Sequence, residues 1–127
     1  MKFVLLLGAL VALSLPVYGE DPQTAFQGFC EEWMQKLQAR EHHNIENIKW
    51  QSSADGVHGA FIGYTREHLC SEKTGTESVP VGTITYREVR YEKRGNSIAE
   101  AELSPAQPVE TTEITEIFRY NGGRWIY

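Results

Sequence analysis

One stretch of helical periodicity, followed by strand periodicity to the end of the chain, is the feature that most restricts the possible folds. Between Thr24 and about His42, apolar residues recur on one stripe of a helix with 3.6 residues per turn. They are Ala25, Phe26, Phe29, Cys30, Trp33, Met34 and Leu37. Thr24 and Gln27 resemble a capping box, and Pro22 precedes it. The pattern predicts an amphipathic helix that buries this stripe against another element.

The remainder of the chain alternates with a period of two and contains short turn sequences. Strands are predicted at about 46–53, 57–68, 79–94, 97–103, 110–120 and 124–127. Residues 53–56, 94–96 and 121–123 have the composition of tight turns, which join antiparallel neighbours. The strand at 79–94 is long enough to contain a bulge that would swap its faces. We therefore expect an α+β fold, with the N-terminal helix packed against a curved antiparallel sheet of about five to six strands.

The first nineteen residues have the composition of a cleavable signal peptide. Lys2 is followed by an apolar run from Phe3 to Leu15, and Val17 and Gly19 provide small residues for cleavage after position 19. The apolar run is shorter than the roughly 20 residues needed to cross a bilayer. The sequence thus predicts a signal peptide at 1–19 and a single exported domain at 20–127, with a periplasmic or extracellular location and no membrane attachment after cleavage.

Two cysteines, Cys30 and Cys70, remain in the part of the chain that would be exported. An oxidising compartment favours a disulfide between them. Cys30 lies on the buried stripe of the predicted helix and Cys70 just after the second predicted strand. The bond would therefore join the helix to the sheet. A redox enzyme would be expected to show a closely spaced pair such as C-x-x-C, which this sequence lacks.

The charge balance excludes several classes of partner. The chain has 12 Lys and Arg against 17 Asp and Glu, and the leader contains only Lys2 among these, so the exported part has a net charge near −6. Nucleic acids and anionic membranes require clustered basic residues. The nearest approach to a cluster, within 87–94, is interleaved with Glu88 and Glu92. We expect this segment to be a solvated strand face and expect no nucleic-acid partner.

The closing segment at 115–127 has a strand rich in aromatic and β-branched residues, the turn Asn121-Gly122-Gly123, and a short strand containing Trp125. It resembles the last two strands of the cystatin-like α+β superfamily, which includes the SnoaL-like and nuclear-transport-factor-like domains. The resemblance covers the final third of the chain, and elsewhere only the order of helix and sheet. It implies a cystatin-like fold. The chain has one clear helix where larger members have three, so the conical pocket of those members would be shallow or missing.

In members that are enzymes, the resemblance implies a pocket in which an acidic base and a tyrosine hydroxyl act on a small apolar substrate. Glu116 lies on a mostly apolar strand face, where burial would raise the pKa of a carboxyl group. Tyr64 and Tyr86 could supply the hydroxyl. In the competing interpretation both tyrosines pack as half-buried sheet residues and Glu116 pairs with an arginine across the sheet. The arginines considered are Arg87, Arg90 and Arg124.

Metal and cofactor binding find little support in the sequence. The four histidines are His42, His43, His58 and His68, and their spacing matches no helical or knuckle pattern of zinc ligands. No glycine-rich phosphate loop is present, and the chain lacks the Q-x-V-x-G segment expected of a cystatin-type protease inhibitor. We therefore predict no metal and no cofactor.

Two hypotheses of different classes follow. The favoured one is an exported binding or accessory domain, without enzymatic activity, that takes a small ligand, a peptide or a second copy of itself on its sheet or in a shallow pocket. A homodimer is one form of this hypothesis. The alternative is a small pocket enzyme of the isomerase or dehydratase type that acts through Glu116 with Tyr64 or Tyr86.

Overall fold

The computed structural model describes residues 21–74 and 79–127 and shows one long helix packed against a curled antiparallel sheet, which confirms the expected α+β fold. The proposed signal peptide at 1–19 lies outside the described residues. The elements, in chain order, are α1 (Pro22–Glu46), β1 (Gln51–Ser53), β2 (Gly56–Tyr64), β3 (Leu69–Lys73), β4 (Val81–Gly95), α2 (Ile98–Leu103), β5 (Gln107–Asn121) and β6 (Arg124–Ile126).

Helix α1 begins two residues earlier than the sequence pattern predicted. Asp21 is its N-cap, and the carboxylate of Asp21 accepts a hydrogen bond of 2.8 Å from the backbone N–H of Thr24. Pro22 occupies the first turn, where its missing N–H is not needed. The predicted capping box at Thr24 is therefore wrong, because Asp21 provides the cap and Thr24 donates to it. This bond lowers the pKa of the Asp21 carboxyl group, with the N–H of Thr24 as the main cause.

The sheet has six strands in the order β1-β2-β4-β5-β6, with β3 also paired to β4. All pairings are antiparallel, as predicted. The strand predicted at 57–68 ends at Tyr64, and after a break at 65–68 the chain continues as β3. Strands β2 and β3 pair with successive parts of the same edge of β4. At Thr65 the side-chain Oγ1 accepts a hydrogen bond of 3.1 Å from the Arg87 N–H, while the Thr65 N–H donates one of 2.9 Å to the Arg87 carbonyl. We call residues 65–68 the β2–β3 interruption.

The predicted strand at 97–103 is instead the short helix α2, and the predicted tight turn at 94–96 leads into it. Ser97 caps this helix, and its side chain accepts a hydrogen bond of 3.1 Å from the Glu100 N–H. Ala101 is completely buried. A β-carbon on Gly95 would lie 2.5 Å from the backbone nitrogen of Ala101, so α2 packs directly on the end of β4.

The main core lies between α1 and the sheet. It contains Phe26, Cys30, Met34, Leu37, Tyr64, Ile84, Tyr86, Phe118 and Trp125. Along β4 the buried positions change from Ile84 and Tyr86 to Val89, and pairing with β5 shifts register between Arg90 and Tyr91. The register shift thus lies beyond the point at which the buried positions change.

Helix α1 is bound to the sheet near its start and its middle. The indole N–H of Trp125 in β6 donates a hydrogen bond of 3.0 Å to the backbone carbonyl of Pro22. The predicted disulfide between Cys30 and Cys70 is present and joins α1 to β3. These links fix the face that α1 presents to the sheet.

The last turns of α1 cover backbone groups of β2. A carboxylate oxygen of Glu41 accepts a hydrogen bond of 2.9 Å from the Tyr64 N–H, and the amide of Asn44 donates one of 2.9 Å to the Ile62 carbonyl. An uncovered strand edge would be open to pairing with another chain, so these side chains protect part of it. Of the helices in the described ranges, none has the length and apolar character to span a membrane.

Candidate functional site

The structure brings together two of the three predicted catalytic candidates, Tyr86 and Glu116. In the β4–β5 register Tyr86 lies opposite Ile114 and Glu116 opposite Ile84, so the two are diagonal neighbours on the core face. The Tyr86 hydroxyl donates a hydrogen bond of 3.1 Å to Oε1 of Glu116. Strand alternation puts both side chains on the core face, and the register of β4 with β5 makes them neighbours.

The surroundings of this pair keep the Tyr86 phenol protonated. Tyr86 is 5% exposed. Burial raises the pKa of Tyr86, and the negative charge and hydrogen bond of Glu116 raise it further. The pair therefore acts as a neutral donor bound to a carboxylate.

Tyr64, the third candidate, is not bonded to Glu116 but packs against Tyr86. Their rings meet edge to face with centroids 6.1 Å apart. Tyr64 is buried in the core, and its backbone is held by Glu41. The structure thus gives Tyr64 a packing role beside the pair.

Two aromatic residues not predicted as site residues complete the surroundings of Glu116. Tyr127 stacks on Trp33 with ring centroids 5.9 Å apart, and the carboxylate of Glu116 raises the pKa of the exposed Tyr127 phenol. Nε1 of Trp33 is buried and has no hydrogen-bond partner among the described residues. Trp33 was assigned only to the helix stripe, and the last residue of the chain carried no sequence signal.

Two of the three arginine partners considered for Glu116, Arg87 and Arg90, lie opposite other residues. Arg87 is opposite Glu113 and Arg90 opposite Glu110 in the β4–β5 register, and Arg90 forms an ion pair of 3.3 Å with Glu92. The interpretation that paired Glu116 with Arg87 or Arg90 is therefore wrong. It failed because register fixes which residues face one another, and sequence alone did not define the register.

Removing the charge of Glu116 should make Tyr86 ionise at lower pH. We expect Glu116→Gln to lower the pKa of Tyr86, because the raising effect of the carboxylate is lost. The measurement is an alkaline titration of phenolate absorbance, with Tyr86→Phe identifying the signal of this residue. In an unfolded chain tyrosine ionises near pH 10, so the contribution of Tyr86 to stability is complete below about that pH.

This contribution falls as the pH rises above about 10, because the unfolded chain then releases a proton that folded Tyr86 retains. Alkaline loss of stability should therefore be shallower in Glu116→Gln and in Tyr86→Phe than in the unchanged protein. An identical alkaline slope in all three proteins would contradict the proposed coupling.

A second candidate site is an open groove beside the β2–β3 interruption, with a volume of about 250 Å³. It is lined by Thr65, Glu67, His68, Leu69, Thr85, Tyr86, Arg87 and Glu113. Leu69 is 67% exposed at its rim. The groove therefore combines an apolar surface with one arginine, one histidine and two carboxylates. We call it the interruption groove. The sequence did not indicate it, because it exists only where β2 stops pairing with β4.

The histidines are separated in the fold. His42 pairs with Glu46 at 3.0 Å on the exposed side of α1, and His43 lies beside Asn47 at the end of the same helix. His68 is different, because one of its ring nitrogens lies within 4.8 Å of the sulfur atoms of Cys30 and Cys70. In the structure these two sulfurs are joined in the disulfide.

A scan against protein-family models found no family that matches the chain, and searches of curated proteins and of solved structures found no match either. The resemblance to the cystatin-like superfamily therefore stays a prediction.

Proposed function

We propose that the chain is an exported binding domain without catalytic activity, which takes a small ligand or a peptide segment in the interruption groove. The observation that carries this proposal is the gap between the β2 and β3 ladders on one edge of β4, at residues 86 and 87, where Arg87 is bonded to Thr65 instead. It leaves a concave surface of mixed chemistry in an otherwise continuous sheet. Concave surfaces with a few polar groups beside apolar ones are the usual form of ligand sites.

The groove has the groups needed to orient a ligand. Arg87 is exposed and can bind a carboxylate or phosphate through two parallel hydrogen bonds. Leu69 offers exposed apolar surface on the other side. Glu67 and Glu113 disfavour a ligand with several negative charges. We therefore infer a ligand with one anionic group and an apolar part, such as an amino acid, a short peptide terminus or a small organic acid.

The enzyme hypothesis has less support. The Tyr86 hydroxyl is already bonded to Glu116 and lies in the aromatic core, so a substrate would have to displace packed side chains to reach it. Tyr86 lines the interruption groove, yet it is only 5% exposed. Packing thus favours a structural role for the hydrogen-bonded pair over proton transfer to a substrate.

Export is part of the proposal and is supported by the leader pattern and by the disulfide, which is typical of oxidising compartments. It predicts that deleting residues 1–19 leaves the protein inside the producing cell. Recovery of the deleted form outside the cell in the same yield as the full chain would contradict export through this leader.

Binding can be tested by nuclear magnetic resonance with a set of amino acids, dipeptides and small organic acids. We expect ligands to shift the backbone signals of 65–69 and 85–87, and Arg87→Ala to weaken binding at least tenfold because the anionic group loses its partner. Arg94→Ala is the matched control, since Arg94 lines a different groove. Shifts confined to other surfaces, equal weakening by both variants, or chemical conversion of a ligand would refute the proposal.

A further inference from the structure

Three side chains that can bind metals meet where helix α1 crosses β3. Cys70 is the second residue of β3, and His68 precedes it by two positions. His68 lies in the β2–β3 interruption directly before β3, and Cys70 lies opposite Ile84 of the core in the β3–β4 register. The two sulfurs and one His68 ring nitrogen all lie within 4.8 Å of one another. We call these residues the Cys-His cluster.

The spacing of the cluster is close to that of a zinc site. Zinc binds cysteine sulfur at about 2.3 Å and histidine nitrogen at about 2.0 Å, with tetrahedral geometry. Two sulfurs on one tetrahedral zinc ion are therefore roughly 3.8 Å apart. With the sulfurs no longer joined, ligand atoms that begin within 4.8 Å of one another need only small movements to reach this arrangement.

His68 is held as metal-binding histidines usually are. Its Nδ1 lies 2.7 Å from the backbone carbonyl oxygen of Arg66. A carbonyl can only accept, so Nδ1 carries the proton and Nε2 keeps the free lone pair. A hydrogen bond of this kind fixes the tautomer and the orientation of a ligating imidazole. The bond to Arg66 thus leaves Nε2 as the ring nitrogen that is free to bind a metal.

We propose that reduction of the Cys30–Cys70 disulfide converts the Cys-His cluster into a zinc site. A dithiol reductant supplies two electrons and two protons, which yields the two cysteine thiols and the cyclic disulfide of the reductant. Zinc binding then displaces one proton from each thiol, and the ligands are two thiolates and the imidazole of His68. Solvent supplies a fourth ligand, because His68 is exposed while Cys30 is buried.

The proposal changes the interpretation of the histidines. The spacing of the four histidines matched no pattern of zinc ligands, but the cysteines were not considered together with them. The informative signal is the sequence His68-Leu69-Cys70, which puts a second potential ligand two positions before the cysteine of β3. The Cys-His cluster shares His68 with the interruption groove, but no part of the argument uses Arg87 or Leu69.

Cobalt(II) is a suitable probe, because it occupies zinc sites and its visible absorption reports tetrahedral thiolate coordination. We expect protein reduced with a phosphine to bind one equivalent of Co²⁺ with this absorption, and zinc to displace it. Oxidised protein should bind none. His68→Ala should weaken binding more than tenfold, whereas His58→Ala, which changes a histidine outside the cluster, should leave it unchanged.

Reduced protein that loses its structure can still test the proposal. Circular dichroism should then show that zinc restores the fold of the reduced chain, since ligand binding free energy becomes folding free energy. The restored fold should require His68 but not His58. Absence of tetrahedral Co²⁺ absorption in folded reduced protein, failure of zinc to restore an unfolded one, or equal binding by His68→Ala would overturn the proposal.

Discussion

Replacing Cys30 and Cys70 together with alanine is expected to lower the free energy of unfolding by about 4 kcal/mol. The disulfide closes a loop with a sequence separation of 40 residues. In the chain-entropy model, opening a loop of this size costs roughly 4 kcal/mol at 25 °C. A domain of ordinary stability has a total of about 5–15 kcal/mol, so the double variant should be marginally folded.

The measurement is urea denaturation of the oxidised protein and of the double variant, with a metal chelator present throughout so that zinc does not stabilise reduced thiols. Reducing the unchanged protein should produce a similar loss, and adding reductant to the double variant should change nothing. A difference below about 1 kcal/mol between oxidised and reduced protein would show that packing of α1 holds the fold without the bond.

This disulfide also shows what the sequence could predict. Cys30 lies on the apolar stripe that includes Phe26, Met34 and Leu37, and a stripe with a period of 3.6 residues defines both the helix and its buried face. In a chain predicted to be exported, a buried cysteine is expected to have a partner, and the sequence offers only Cys70. These inferences rest on local periodicity and compartment, which depend little on the three-dimensional register.

The parts that could not be predicted depend on register and on short elements. The segment 98–103 alternates enough to resemble a strand, yet Ser97 and Glu100 have the spacing of a capping box, which was the available signal for α2. Six residues give a weak periodicity in either conformation. Burial of Ala101 against Gly95 favours the helix over a strand. This is a tertiary contact, which local sequence patterns do not show.

In the candidate site, too, some features follow from local periodicity and others from the register of the strands. Strand alternation was sufficient to place Glu116 on the core face with Tyr86. The sequence could not show whether Glu116 is bonded to an arginine, to Tyr64 or to Tyr86, because this depends on the exact pairing of β4 with β5. Likewise, the position of His68 near the two cysteines could not be predicted without knowing that β2 ends at Tyr64 and that β3 begins at Leu69.

The second large effect is expected at Gly82 in β4, where valine should destabilise the protein by about 3 kcal/mol. A β-carbon at this position would lie 2.6 Å from Cζ and 2.7 Å from Cδ2 of Phe26, closer than van der Waals contact. Phe26 is fully buried, and its ring centroid lies 4.6 Å from that of Trp125, so the ring cannot move outward without disturbing the core. Overpacking of a core typically costs about 1–3 kcal/mol.

The sign of the change in stability caused by Gly82→Val shows whether the clash with Phe26 or the intrinsic strand preference of valine is the larger effect. Valine favours strands over glycine by up to about 1 kcal/mol, so an unobstructed position would become more stable. Gly28→Ala is the matched control, since nothing lies within 4 Å of the added carbon and alanine favours a helix by about 1 kcal/mol. Urea denaturation should therefore show opposite shifts for the two glycines.

A smaller side chain at position 26 should relieve part of the damage at Gly82. We expect Phe26→Leu combined with Gly82→Ala to cost less than the sum of the two single changes, because leucine vacates the space that the new methyl group enters. If the double variant loses as much stability as the two single changes together, the cost of Gly82→Ala does not come from the ring of Phe26. Partial relief would show that the ring of Phe26 packs directly on the backbone of the central strand, and that glycine at this position is what allows helix α1 to lie so close to the sheet.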